Sequence, residues 1–351
     1  MQKRKLAGLM ALLMLIGFVV IPRSIQAKNQ TQSSTQFTVT IGGAYLRQGP
    51  ALWSPSTQPI FAGEQLAVSA RTANKLWLKL ESDKGSGWLL AFYGKLTGNI
   101  DGLPVVATPP TPPGQAGALA PSNYISPLTA KARKLYQAKA PNKSPAMFTV
   151  IGDCNSVPEA YVGRVATGLF ETSKYPALAP VLDRFSASFW RNSVASFSGF
   201  NSGSMFNPEW ANPQYCMAGE GPLACELRRS QASVVFVALG TGDQFAWKAF
   251  EKNYRGIIDE LLKRKVLPVL VTKADDLDSQ QGGAAPGYIN DTIRKLGAEY
   301  GVPVIDFWAA TRSLPNFGMR VEGNENFHMT AAGSDTRILL TLQVLNALVR
   351  K

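Results

Sequence analysis

Phe148-Thr149-Val150-Ile151-Gly152-Asp153-Cys154-Asn155-Ser156 is the stretch from which the rest of the chain is read. An apolar, β-prone run stops at a Gly-Asp turn. A cysteine follows, and Val157 to Phe170 is amphipathic and reads as a helix. The stretch predicts strand, tight turn and helix, with a nucleophile-capable side chain at the turn. The only histidine of the 351 residues, His328, lies near the C-terminus.

Working outward, Ser233–Leu239, Val266–Thr272 and Val302–Phe307 are further apolar strand candidates. Helical patterns alternate with them at Ala246–Lys263, Gly287–Tyr300 and Ala331–Leu348. Near-continuous apolar strands separated by helices predict a parallel sheet covered on both faces. In such sheets, sites form at the carboxyl ends of the strands. The first strand ends at Gly152-Asp153-Cys154, the second at Gly240-Thr241-Gly242-Asp243, and the third at Lys273-Ala274-Asp275-Asp276. Glu325-Asn326-Phe327-His328 precedes the last helix, with Thr330 as its expected N-cap. A nucleophile, small residues that expose backbone N–H groups, and a carboxylate three residues before a histidine are the inventory for acyl transfer.

Those blocks resemble the SGNH/GDSL hydrolases over about residues 125 to 351. The family comprises esterases, lipases and carbohydrate deacetylases on a flavodoxin-like three-layer α/β/α fold with a parallel sheet. Its chemistry is carried by Gly-Asp-Ser, a glycine, Gly-x-Asn-Asp and Asp-x-x-His. Gly152-Asp153-Cys154-Asn155-Ser156 is similar to the first block, with cysteine at the family's serine. Gly199 is assigned to the second block, with Gly203 and Ser193 as alternatives. Gly240-Thr241-Gly242-Asp243 resembles the third, with glycine in place of asparagine, and Glu325 to His328 the fourth, with glutamate for aspartate. The resemblance implies a Cys154–His328–Glu325 triad and an oxyanion pocket around Gly199, Gly242, Asp243 and Asp153.

A thiolate is a strong nucleophile, so cysteine can replace serine. Asp153 would raise the thiol's pKa, and a following helix N-terminus would lower it. Glutamate is one methylene longer than aspartate and can still orient an imidazole. Glycine at 242 lacks a side-chain oxyanion donor, a loss of about 10²–10³ in rate. The backbone N–H groups of Cys154 and Gly199 would remain. Asn155 and Ser156 are expected to cap the helix, with Ser156 a second candidate nucleophile. Asp275, Asp276 and Asp278 are expected in a solvated loop, although their place at a strand's end would let them line a pocket. Trp190, Trp210 and Phe206 read equally well as groove lining or as core.

The N-terminal part is different. Residues 1–27 read as a secretory signal: Lys3, Arg4 and Lys5, an apolar run from Leu6 to Ile21, and Ala27 before the cut. An uncleaved anchor is the alternative, disfavoured by the run's shortness and Pro22. Residues 37–103 read as a small β-barrel, with strands at Thr38–Ile41, Gln65–Val68, Trp77–Leu80 and Gly87–Leu90. Tyr45-Leu46-Arg47-Gln48-Gly49-Pro50, Phe61 to Glu64 and Gly87-Trp88-Leu89 resemble bacterial SH3-type domains, which implies a wall-associated binding module. Trp77 and Trp88 read first as fillers of that barrel. Residues 104–122 are a Pro-rich linker, a basic helix follows at Pro127–Ala140, and residues 123–351 form the hydrolase-like domain.

The net charge of +12 is scattered, with no basic stripe among aromatics, so it points to anionic polymers such as cell-wall material rather than nucleic acid. Of three cysteines, Cys216 and Cys225 flank a Gly/Pro-rich loop and could close it, for roughly 2–3 kcal/mol, which leaves Cys154 unpaired. One histidine cannot build a His/Cys metal cluster, and no cofactor is implied. The expected partners are an extracellular polysaccharide or cell-wall polymer and a small acyl-ester substrate, with no stable membrane insertion after cleavage. Three readings follow: an exported ester hydrolase, a glycan-binding protein on a degenerate hydrolase fold, and a redox or adduct-forming thiol.

Overall fold

Alternation of apolar residues builds the N-terminal part as an antiparallel sheet. A computed structural model of the protein describes residues 35–113, 122–275, 277, 283–321 and 327–350. Seven strands, β1 (Gln36–Val39), β2 (Ala44–Arg47), β3 (Ser56–Ile60), β4 (Gln65–Arg71), β5 (Trp77–Ser82), β6 (Gly85–Leu90) and β7 (Gly94–Thr97), pair in the order β3-β2-β6-β5-β4-β1-β7. The sequence reading found four of them. It missed β2, β3 and β7, which are short and carry a motif arginine, a proline or a glycine instead of clean alternation.

Successive strand residues face opposite sides. Leu78, Leu80 and Leu89 therefore join Phe37, Leu46 and Val68 in the sheet's own core. Trp77, Trp88 and Leu90 point the other way, into the apolar cluster that contains Phe148, Tyr161 and Val165. Both tryptophans are buried, as expected, but they seal the sheet to the following domain rather than fill a barrel.

Arg47 fastens the same seam. It is 1% exposed, and its guanidinium donates to the Ser54 carbonyl at 2.7 Å, the Val165 carbonyl at 2.5 Å and the Thr172 hydroxyl at 3.3 Å. Burial pulls its pKa down to about 10, against the opposing pull of Glu171. Beside it the Tyr45 amide donates to the Thr167 carbonyl at 2.7 Å. Gly168, at φ +77, sits where a Cβ would come within 2.9 Å of the Ser56 hydroxyl, so both its conformation and its contact require glycine.

The second sheet is parallel, ordered β11-β10-β9-β8, from β8 (Ser144–Gly152), β9 (Ala232–Ala238), β10 (Leu267–Val271) and β11 (Val304–Ile305). All of β9 and β10 is buried. Val234 and Phe236 face one cluster with Ile338, Leu342 and Leu345 of the helix Ala331–Val349. Val235 and Val237 face the other, with Phe250, Tyr254 and Ile257 of Trp247–Lys263 and Ile289 and Ile293 of Tyr288–Tyr300. Alternation across the sheet thus gives the expected three layers. The edges are covered: Ser126 bonds β11 through its amide and hydroxyl, and Ala195 to Phe197 bracket Gly152 on the free side of β8.

Two expectations fail locally. The helix expected at Val157–Phe170 is a 3₁₀ turn at Cys154–Ser156 and one α turn at Gly163–Ala166. Pro158, which lacks an N–H to donate, follows the first turn, and Gly168 turns the chain left-handed after the second. The basic helix is shorter than expected, Ala130–Gln137, because Thr129 caps it by accepting from the Ala132 amide at 3.0 Å. Among the described residues, no helix is long and apolar enough to cross a membrane. Residues 1–27 and the linker's residues 114–121 lie outside the described residues.

Candidate functional site

The turn after β8 is set by Asp153. Its buried carboxylate accepts the Asn155 amide at 3.0 Å and caps the 3₁₀ turn that carries Cys154. Gly152 is obligatory beneath it, since a Cβ there would lie 2.2 Å from the Ser156 hydroxyl. Burial raises the Asp153 pKa to about 6. Cys154 is the free cysteine and is half-buried. Burial first, and then the Asp153 charge, pushes its thiol up to about 12. The helix N-terminus expected to oppose that push is missing, because only a single 3₁₀ turn follows.

Neither Asn155 nor Ser156 acts as the expected cap. Ser156 is buried, and its hydroxyl donates to the Ala238 carbonyl at 3.2 Å, which ties the turn to the end of β9. The Asn155 carboxamide donates to the Phe327 carbonyl at 2.7 Å and accepts the Met329 amide at 3.3 Å. These two residues flank His328, so the residue next to Cys154 fixes the backbone on both sides of the histidine. The His328 carbonyl accepts the Arg320 amide at 2.7 Å, and Met319 pairs with Met329. Thr330 caps the last helix as expected, accepting the Gly333 amide at 3.2 Å. Glu325 lies outside the described residues.

Gly199 has φ +84, a conformation that favours glycine, whereas Gly203 has φ −71. The Ser193 hydroxyl accepts the Ala195 amide at 3.1 Å. The loop carrying Gly199 is held at both ends. On one side the Ser196 hydroxyl donates to the Val150 carbonyl at 2.9 Å. On the other, the buried Asp243 carboxylate accepts the Ser202 amide at 3.0 Å and its hydroxyl at 2.5 Å. Asp243 is therefore engaged with this loop; burial raises its pKa to about 6.

Gly242 has a steric explanation. A Cβ at this position would lie 2.4 Å from the Phe200 carbonyl oxygen and 3.5 Å from the Asn201 Cβ. The loop after Gly199 occupies the space that an asparagine side chain would need.

Two parts of the site depart from the sequence reading: Asp275, for which a solvated loop is the preferred expectation, and Arg337, which was missed. Asp275 is buried rather than solvated, paired with Lys273 at 2.6 Å, and it accepts the Thr241 hydroxyl at 2.8 Å. Asp276 and Asp278 lie outside the described residues. Arg337 is buried, donates to the Asn155 carbonyl and lies 3.8 Å above the Tyr161 ring. Its spacing from Gly333 and Thr341 places it on the buried face of the last helix, a signal present in the sequence. Asp153, Thr241, Lys273, Asp275 and Arg337 line a small cavity of about 20 Å³.

The expected disulfide is present between Cys216 and Cys225. Trp210, 45% exposed, and half-buried Trp190 both line a surface depression, so groove lining describes them, whereas Phe206 is 45% exposed outside it.

Residues 162–335 match the family described as GDSL-like Lipase/Acylhydrolase. The match spans Gly199, Gly242, Asp243, Glu325 and His328 and begins after the Cys154 turn. No curated protein matches the chain. Among solved structures, the chain is similar to a putative acylhydrolase from Bacteroides fragilis, at 15% identity over 63% of this chain and 96% of that one, with a TM-score of 0.40. It is similar to a GDSL-like lipase from Bacteroides thetaiotaomicron at 14% identity, over 62% of this chain and 96% of that one, with a TM-score of 0.39. A catalytic mutant of an acetylxylan esterase from Geobacillus stearothermophilus gives 14% identity, over 60% of this chain and 96% of that one, with a TM-score of 0.36. Residues 162–335 are a GDSL-like lipase/acylhydrolase domain, of a class of hydrolases that act on esters.

Proposed function

We propose that the protein is an exported hydrolase of acyl or acetyl esters on an extracellular carbohydrate or cell-wall polymer. Cys154 is the nucleophile, His328 the base and Glu325 the group that orients it. The observation that carries this reading is the Asn155 clamp, which ties the residues flanking His328 to the residue after Cys154.

The thiol is held neutral at ordinary pH by burial and by Asp153. It therefore reacts as serine does, losing its proton to His328 as the sulfur attacks the ester carbonyl. The resulting oxyanion is met by the backbone N–H groups of Cys154 and Gly199. Collapse expels the alcohol, which takes the proton back from His328 and leaves a thioester on Cys154. Water, deprotonated by His328, then releases the acid and regenerates the thiol. Without a side-chain donor at 242 the rate is lower by about 10²–10³. The signal segment 1–27 would deliver the chain outside, and an SH3-like N-terminal domain would hold it near its polymer.

The missing donor and the raised thiol also favour a second reading, a glycan-binding protein with little turnover. Hydrolysis of a short acetyl ester by the full chain decides between them. Loss of at least ~10³-fold in both Cys154→Ala and His328→Ala supports the enzyme; unchanged activity in both variants rules it out.

A further inference from the structure

Two aromatic clusters line two adjoining depressions that the sequence blocks do not explain. The first crosses the seam between the N-terminal sheet and the following domain: Tyr93 and Phe92 have ring centroids 4.7 Å apart, and Phe92 and Trp190 are 6.0 Å apart. The second comprises Phe197, Phe200 and Trp210, spaced 5.9 and 5.8 Å. A depression of about 460 Å³ contains the first cluster and one of about 790 Å³ contains the second. The two share Pro158, Glu159, Trp190 and Asn192 in their walls, so Trp190 stands where they join. Val157, three residues beyond Cys154, lines the second.

Three of these rings are not spare core. Phe92 is 44% exposed, Phe197 63% and Trp210 45%. Large exposed apolar groups gathered in one concavity mark a binding surface. Each depression is within the roughly 300–1,000 Å³ of a ligand pocket, and the two adjoin at Trp190. The second's polar lining is amide and hydroxyl, from Asn192, Asn212 and Ser193, interleaved with the rings. Its charges are mixed: Glu159, Arg229 stacked 4.4 Å from Tyr215, and Arg191, which is paired with buried Glu226. Flat apolar rings alternating with neutral hydrogen-bonding groups complement a sugar polymer, whose ring faces carry C–H groups and whose edges carry hydroxyls.

We infer that a linear acetylated glycan lies along the groove these two depressions form, across both parts of the protein, with sugar faces on Phe92, Trp190 and Trp210. The N-terminal sheet then also forms one wall of the substrate groove. This rests on the proposed esterase reading for the acetyl group, but not for binding itself.

Titration calorimetry of the full chain with a disaccharide and a hexasaccharide of one acetylated sugar tests it. The hexasaccharide is expected to bind at least ~10-fold more tightly, and Phe92→Ala and Trp210→Ala each to weaken it roughly 10-fold, with unchanged melting temperatures. Phe61→Ala, an exposed ring of the N-terminal sheet outside the groove, is expected to leave binding unchanged. Equal affinity for both lengths, no effect of Phe92→Ala, or loss in Phe61→Ala instead would overturn the inference. Ester hydrolysis by the unmodified chain is measured separately: binding without hydrolysis would sink the esterase and keep the groove, and hydrolysis without binding the reverse.

Discussion

Asn155 brackets His328. Its carboxamide donates to the carbonyl of the preceding residue at 2.7 Å and accepts the amide of the following one at 3.3 Å. It therefore couples two loops that are far apart in sequence, and it does so from the position adjacent to Cys154.

Asn155→Ala removes both bonds and leaves a buried amide and carbonyl to find water. The expected cost is about 1–3 kcal/mol of stability. If the clamp positions His328, kcat falls by roughly 10²-fold with little change in KM, since a displacement of about 1 Å can cost that much. A variant with normal kcat and only a lower melting temperature would make Asn155 purely structural.

Cys154 should alkylate slowly. With the thiol near 12, its thiolate fraction at neutral pH is roughly 10³-fold below that of a free cysteine. Iodoacetamide labelling followed by mass spectrometry should show a rate that climbs steadily with pH to at least about 10. Rapid labelling at neutral pH would restore the redox reading. The same neutrality predicts that Cys154→Ser keeps measurable activity, because the base need not find a preformed thiolate.

Gly242→Asn would not repair the oxyanion site. The Cβ would fall 2.4 Å from the Phe200 carbonyl, a backbone atom that cannot swing aside. The expected result is a loss of about 1–3 kcal/mol in denaturant unfolding, with ester hydrolysis lower than in the unmodified chain. Higher activity at normal stability would show that the Phe200 loop yields.

Asp153 makes stability depend on pH. Its folded pKa of about 6 exceeds the ordinary 3.8 of an aspartate, so the fold holds a proton that the unfolded chain releases. Its contribution is fully present below about pH 4 and is lost as pH rises through about 6, on the order of 3 kcal/mol. Asp153→Asn keeps an oxygen to accept the Asn155 amide and removes the titration. Urea unfolding from pH 4 to 7 should therefore show a shallower decline in Asp153→Asn than in the unmodified chain. Identical slopes would contradict the burial argument.

The parallel sheet was legible because β9 and β10 are apolar throughout and the long helices carry a clear period. The disulfide and the Thr330 cap were legible for the same local reason. The short structure after Cys154 was not: Val157 to Phe170 has helical apolar spacing, but Pro158 and Gly168 break it into turns. The tryptophans show a second limit. Alternation places Trp77 and Trp88 opposite Leu78 and Leu89, yet only the docked domain decides that the second face is buried. Asp275 looked solvated because the cation and hydroxyl that hold it, Lys273 and Thr241, come together only in the fold.

The most direct test of the account is what Cys154 carries during turnover. The full chain, mixed with a short acetyl ester, acid-quenched within one turnover and digested, should yield the Cys154 peptide as an acetyl thioester, and the thioester should be absent from His328→Ala. Turnover with no acyl group on Cys154, at a rate that Cys154→Ala retains, would contradict it.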